Sequence, residues 1–186
     1  MYREFCTLVG AGQLANRPER LPFLPIRFFK THRVVTGAFD PALVFESSGT
    51  TQTTQSKHLV KDAAVYHRSL HTGFERVYGK PANWCILGLL PSYLEREHSS
   101  LVYMVQQLIA AGAHPASDFY LHDLNTLQTT LQEMELRGTR VLLLGVTFAL
   151  LDFAAHYPLR LQHTVIMETG GMKGRREELL RQEVHE

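Results

Sequence analysis

Trp84-Cys85-Ile86-Leu87-Gly88-Leu89-Leu90 is an almost unbroken apolar run, and shorter runs recur at Phe119–Leu121, Val141–Leu144 and Thr164–Met167. Runs of this length bounded by turn residues read as strands buried on both faces. The stretches between them have helical periodicity. Leu101, Val105, Leu108 and Ile109 mark a helix ended by Gly112; Leu124, Leu127, Leu131 and Met134 mark a second ended by Gly138; Phe148, Leu151 and Ala155 before Pro158 mark a third. The alternation predicts an α/β fold with a mainly parallel sheet, helices on both faces and right-handed crossovers. Just upstream, Asp62 is placed to cap a helix carrying Tyr66, Leu70, Phe74 and Val77 up to Gly79. His67 and His71 lie four apart on it, but no third ligand follows at a metal-site spacing, so no metal is assigned.

Ligands of such sheets sit beyond the carboxyl ends of the strands. Leu89-Leu90-Pro91-Ser92-Tyr93 leaves the first strand, and by itself reads as a proline stop. Leu144-Gly145-Val146-Thr147-Phe148 reads as a tight turn with Thr147 capping the next helix. Glu168-Thr169-Gly170-Gly171-Met172-Lys173-Gly174 follows the last strand as a glycine-rich turn, and Arg175–Glu183 then reads as a charged helix with a solvated face.

The N-terminal third has a different grammar. Tyr2, Phe5, Cys6 and Val9 fall at helical spacing before Gly10 and Gly12, and the three prolines between Arg17 and Lys30 predict an irregular surface-packed segment. Next come two short strands, Pro41–Phe45 and His58–Val60, around Glu46-Ser47-Ser48-Gly49-Thr50-Thr51-Gln52-Thr53-Thr54-Gln55-Ser56-Lys57. Hydroxyls, a glycine and free backbone N–H groups can surround an anion, and Lys57 adds a point charge. The same composition also describes a solvated turn, and the spacing is not that of a Walker loop.

Composition sets bounds. At 186 residues and 45% hydrophobic the chain can bury roughly two-thirds of its unfolded surface. With 19 Lys+Arg against 18 Asp+Glu there is no basic field to attract nucleic acid or an anionic membrane. Cys6 and Cys85 form no redox or zinc pattern, which points to a reducing cytoplasm, and no stretch approaches the ~20 apolar residues of a membrane span.

Ser47-Ser48-Gly49-Thr50-Thr51 followed by Lys57 resembles the hydroxyl-rich phosphate loop of the acyl-adenylate-forming enzymes, the acyl-CoA synthetase-like superfamily. Within it, the likeness is closest to the acyl-protein synthetase of bacterial bioluminescence and its relatives. Gln52 stands where that pattern has glycine, and the spacer before Lys57 is longer and lacks proline. The proline-punctuated lead-in resembles the segment preceding that loop, Pro91 and Tyr93 resemble a segment lining the acyl pocket, and Gly170-Gly171 resembles the glycine pair that approaches adenine.

The resemblance implies a partial N-terminal adenylating domain, with residues 1–61 as lead-in and phosphate-loop hairpin, residues 62–186 as its α/β portion, and no C-terminal domain. It implies that the parent is an ATP- and Mg²⁺-dependent ligase that activates a carboxylic acid, fatty acids included, as acyl-AMP for a thiol, hydroxyl or protein acceptor. On this reading, Ser47, Ser48, Gly49, Thr50, Thr51, Lys57, Gly170 and Gly171 bind nucleotide and phosphate, Pro91 and Tyr93 line the substrate site, and the 186-residue chain by itself does not turn over. Two alternatives stay open: a non-catalytic, flavodoxin-like nucleotide-binding module, and an α/β hydrolase, which lacks the expected Gly-x-Ser-x-Gly elbow.

Overall fold

A computed structural model describes residues 2–11, 18–47, 54–90, 98–120 and 123–170. The chain divides into two compact units, Met1–Lys61 and Asp62–Glu186.

In the first unit, helix α1 (Tyr2–Leu8) ends in a turn with Gly10 at φ 72°, a left-handed conformation that suits glycine. The Tyr2 hydroxyl donates to the Pro22 carbonyl at 2.8 Å, and Phe5 meets Phe28 of the short helix α2 (Phe28–Thr31) edge to face. The proline segment is irregular as expected, but it is not packed down, since Phe23 and Ile26 stay exposed. Strands β1 (Leu43–Glu46) and β2 (Lys57–Val60) pair antiparallel, Leu43 with Val60 through Glu46 with Lys57. Lys57 is therefore the first residue of the return strand.

The second unit opens with α3 (Ala63–Tyr78), capped as expected by Asp62, whose carboxylate accepts the Ala64 N–H at 2.8 Å. Then follow β3 (Cys85–Leu89), α4 (Ser100–Gly112), β4 (Asp118–Phe119), α5 (Leu124–Leu136), β5 (Val141–Val146), α6 (Thr147–His156) and β6 (Thr164–Thr169). The sheet has four strands in the order β4-β3-β5-β6, and every pairing is parallel. Trp84 falls just before β3, and β5 and β6 run to Val146 and Thr169, further than the apolar runs suggest.

Both faces are covered. Ile86 and Leu142 pack with Phe74 of α3 and Leu108 of α4. On the opposite face Gly145 lies under Leu150 of α6, and Glu135 of α5 holds Thr164. Ile86, Leu87, Leu142 and Leu143 are fully buried, and each such side chain contributes about 1.5–3 kcal/mol.

Gly138 ends α5 at φ 64°, as its position predicts, but Gly112 does not terminate α4 in the same way. The left-handed residue there is Ala113 at φ 52°, while Gly112 is the last helical residue. A Cβ on Gly112 would lie 3.3 Å from the carbonyl oxygens of Pro81 and Trp84, so this glycine serves close packing.

Candidate functional site

The connection leaving β3 enters α4 on the Ile86 face, and the one leaving β5 enters α6 on the opposite face. That reversal is a topological switch point between β3 and β5, and open α/β sheets take their ligands beyond the carboxyl ends of the strands at such a point. Leu89 and Leu90 bring β3 to this end, fully screened from solvent. β5 passes from Val146 straight into Thr147 of α6 with no loop between.

Thr147 does not cap α6, contrary to the sequence reading. Its buried side chain reaches sideways, and its hydroxyl donates to the carboxylate of Glu168 on β6. Val146 occupies the cap position and supplies no side-chain bond, so α6 begins without a side-chain acceptor for its first N–H groups. The Thr169 hydroxyl reaches the Gly145 carbonyl at 3.4 Å, tying the same two strand ends. The sequence alone does not reveal the Thr147–Glu168 pair, because both residues read as parts of turns. A β6 drawn two residues longer would have placed Glu168 beside β5 on a strand.

Beside this pair, α6 and β6 enclose a groove of about 550 Å³ lined largely by apolar side chains, among them Leu150, Ala154 and Ile166, with Glu168 at its carboxyl-end side.

Of the expected nucleotide residues on the sheet, Gly170 follows β6 directly. Among the described residues nothing around it demands glycine, since an added Cβ would meet Glu168 Oε1 at an ordinary 3.7 Å. Gly171, Pro91 and Tyr93 lie outside the described residues.

The hydroxyl-rich segment belongs to the other unit. Ser48, Gly49, Thr50 and Thr51 also lie outside the described residues, but both stems of the loop are defined. The Ser47 N–H donates to the Ser56 carbonyl at 2.9 Å, and the Ser56 N–H donates to the Ser47 hydroxyl oxygen at 2.9 Å. The loop thus leaves and returns at one closed position. Lys57 stands at that neck, but Nζ lies 3.1 Å from Glu46 Oε1, so its charge is partly engaged.

Among the described residues, no group of three or more His, Cys, Asp or Glu lies together. His67 Nε2 is 2.6 Å from the Tyr103 hydroxyl, with the two rings stacked, which accounts for this half-buried histidine within the α3–α4 packing. Burial pushes the Cys85 thiol up, only partly offset by its bond with Ser117, so this fully enclosed cysteine is held as an unreactive thiol. No helix among the described residues is long and apolar enough to cross a membrane. No protein-family model, curated protein or solved structure matches the chain.

Proposed function

We propose that the chain is the nucleotide-binding portion of an ATP-dependent ligase that activates a carboxylic acid as its acyl-adenylate. The supporting observation is the closed neck at Ser47 and Ser56, where the hydroxyl-rich stretch of sequence leaves and returns next to Lys57. Such a loop suits a polyphosphate, because donors converging on spread negative charge stabilise it without reorganising.

In the proposed reaction a carboxylate oxygen attacks the α-phosphorus of ATP, a new P–O bond forms, and the bond to the β-phosphate oxygen breaks. Pyrophosphate leaves with the electron pair. The loop, from Ser47 through Ser48, Gly49, Thr50 and Thr51 to Lys57, would hold the departing β- and γ-phosphates, and Gly170-Gly171 would admit the base. A glycine that its own fold does not require at position 170 fits a close approach by a ligand. Mg²⁺ accompanies ATP in this chemistry, and the described residues gather no cluster of three or more protein ligands for it. The activated acyl group would pass to a thiol or hydroxyl, on a protein or a small molecule.

A second reading, a nucleotide-binding module without chemistry, is favoured by the strand order alone. Counted within the sheet it is 2-1-3-4, the flavodoxin-like order with its crevice between the first and third strands. Isotope exchange between pyrophosphate and ATP, with a panel of short- to long-chain carboxylic acids, separates the two. The ligase reading expects acid-dependent exchange in the parent enzyme, sharply reduced by Thr51→Ala. Nucleotide binding with no exchange for any acid would leave the module.

A further inference from the structure

The even charge balance of the whole chain conceals a local asymmetry in the first unit. Between Glu19 and Asp40 there is no carboxylate, while Arg20, Arg27, Lys30 and Arg33 all fall inside that run. The same run carries the proline segment, which is held at two points. The Tyr2 hydroxyl donates to the Pro22 carbonyl at 2.8 Å, and the Phe28 ring meets Phe5 edge to face with centroids 5.7 Å apart. Phe23 and Ile26 lie between these anchors and are 97% and 82% exposed. Apolar residues scattered singly over a surface need no explanation, but two on a pinned segment beside unpaired cations do.

The local winding puts apolar and basic groups on one side. The N–H groups of Phe28, Phe29 and Lys30 donate to the carbonyls of Pro25, Ile26 and Arg27, which carries the helical turn of α2 back to the proline. Phe28 and His32, one turn apart, hold their rings 4.9 Å from each other, and Phe28 is the ring that meets Phe5. At about 100° per residue, Ile26 and Lys30 fall on the side opposite Phe28, with Arg27 next to Ile26. Among the described residues no carboxylate is paired with Arg20, Arg27 or Lys30. Arg33 is engaged elsewhere, donating to the Phe39 carbonyl and lying over the Phe39 ring.

We infer that this face is an interfacial anchor for an anionic lipid surface, in which Phe23 and Ile26 enter the headgroup boundary while Arg20, Arg27 and Lys30 meet the lipid phosphates and carboxylates. Apolar side chains bordered by Lys and Arg are the recognition chemistry of such a surface, and they need no helix long enough to cross it. Pro22 and Pro25 fix their own backbone angles, so little freedom is lost when the segment docks. A protein partner fits the face less well, because a stable interface covers about 800 Å² on each side and two protruding side chains supply a small part of that. Contact of this kind is reversible, each cation strengthening it by about fivefold. The inference uses none of the nucleotide residues and stands or falls apart from the ligase reading.

The test is flotation of the full chain with phosphatidylcholine vesicles, alone and with about a third phosphatidylserine. Binding is expected to the anionic vesicles and to fall as salt rises from ~0.1 M to ~1 M, where screening shortens from about 10 Å to 3 Å. Arg27→Gln with Lys30→Gln should weaken it about twentyfold, two cations at roughly fivefold each. Phe23→Ser with Ile26→Ser should weaken it by at least about tenfold, since two apolar side chains then leave the boundary. All four residues are exposed, so an unchanged urea midpoint in both double variants confirms that the fold is intact. Four results would overturn the inference: no binding to the anionic vesicles, equal binding to phosphatidylcholine alone, binding unchanged in either double variant, or capture by polyglutamate without vesicle binding, which would make this a face for an acidic protein.

Discussion

Lys57 and Glu46 are partners on the rung of the β1–β2 hairpin nearest its loop, with Nζ 3.1 Å from Oε1. Lys57 is the cation expected to help hold phosphate, and it already has a carboxylate partner. The lysine side chain is 60% exposed and the glutamate 22%, so the pair contributes little to stability, at most about 1 kcal/mol. Its weight falls on ligand charge instead, since Glu46 would repel the anion that Lys57 attracts.

Glu46→Gln should therefore tighten pyrophosphate binding by about twofold to fivefold, the equivalent of at most ~1 kcal/mol, while Lys57→Ala weakens it. Calorimetric titration of the full chain reads both. Equal affinity in wild type and the two variants would remove the hairpin from phosphate binding.

Two glycines in helices should respond oppositely to alanine. Gly73 sits in the middle of α3 with nothing within 4 Å of an added Cβ, so Gly73→Ala should stabilise by up to about 1 kcal/mol through helix propensity. At Gly112 the new Cβ would meet two backbone carbonyls at 3.3 Å, and backbone cannot rotate away. Gly112→Ala should lose about 1–3 kcal/mol to overpacking, read as a lower urea midpoint.

The sheet was legible because its strands are buried on both sides. Residues such as Ile86, Leu87, Leu142 and Leu143 have no solvent side, so their apolar run survives as a plain signal, and Asp62 announces its helix through a short local bond. Contacts made across the fold left no such trace. Gly112 looks like any helix stop until Pro81 and Trp84 are brought against it, and Thr147 looks like any cap until β6 delivers Glu168 to its side. Lys57 reads from the sequence as part of the loop because a long polar run, Thr50 to Ser56, precedes it, but pairing with Glu46 draws it into the strand. Cross-strand register is long-range information, and a hydropathy pattern does not carry it.

Thr147→Val keeps the shape of that buried residue and removes the donor to Glu168. The loss should be about 1 kcal/mol, since Glu168 is exposed enough to find water in place of the hydroxyl. Urea denaturation would check it, and a loss beyond ~3 kcal/mol would mean that the pair anchors the strand ends far more strongly than one hydrogen bond can.

Glu135 near the end of α5 should govern the acid sensitivity of this unit. Its carboxylate accepts the Gln162 N–H at 2.8 Å, the His163 N–H at 3.0 Å and the Thr164 hydroxyl at 2.8 Å, which fastens the start of β6 to the helix. Burial raises its pKa, but the bonds from Gln162, Thr164 and His163, with the nearby His163 charge, outweigh that and leave it below the ordinary glutamate value. A carboxylate depressed on folding stabilises above its unfolded pKa of about 4.3, and that contribution is lost as pH falls through the lower folded value. Glu135→Gln presents an N–H₂ where two backbone donors converge, and at neutral pH it should cost about 1–2 kcal/mol. As pH drops from 6 toward 3, the wild-type urea midpoint should fall toward that of the variant and the gap should close. A gap that stays constant over this range would show that the ionised carboxylate is not what holds β6 to α5.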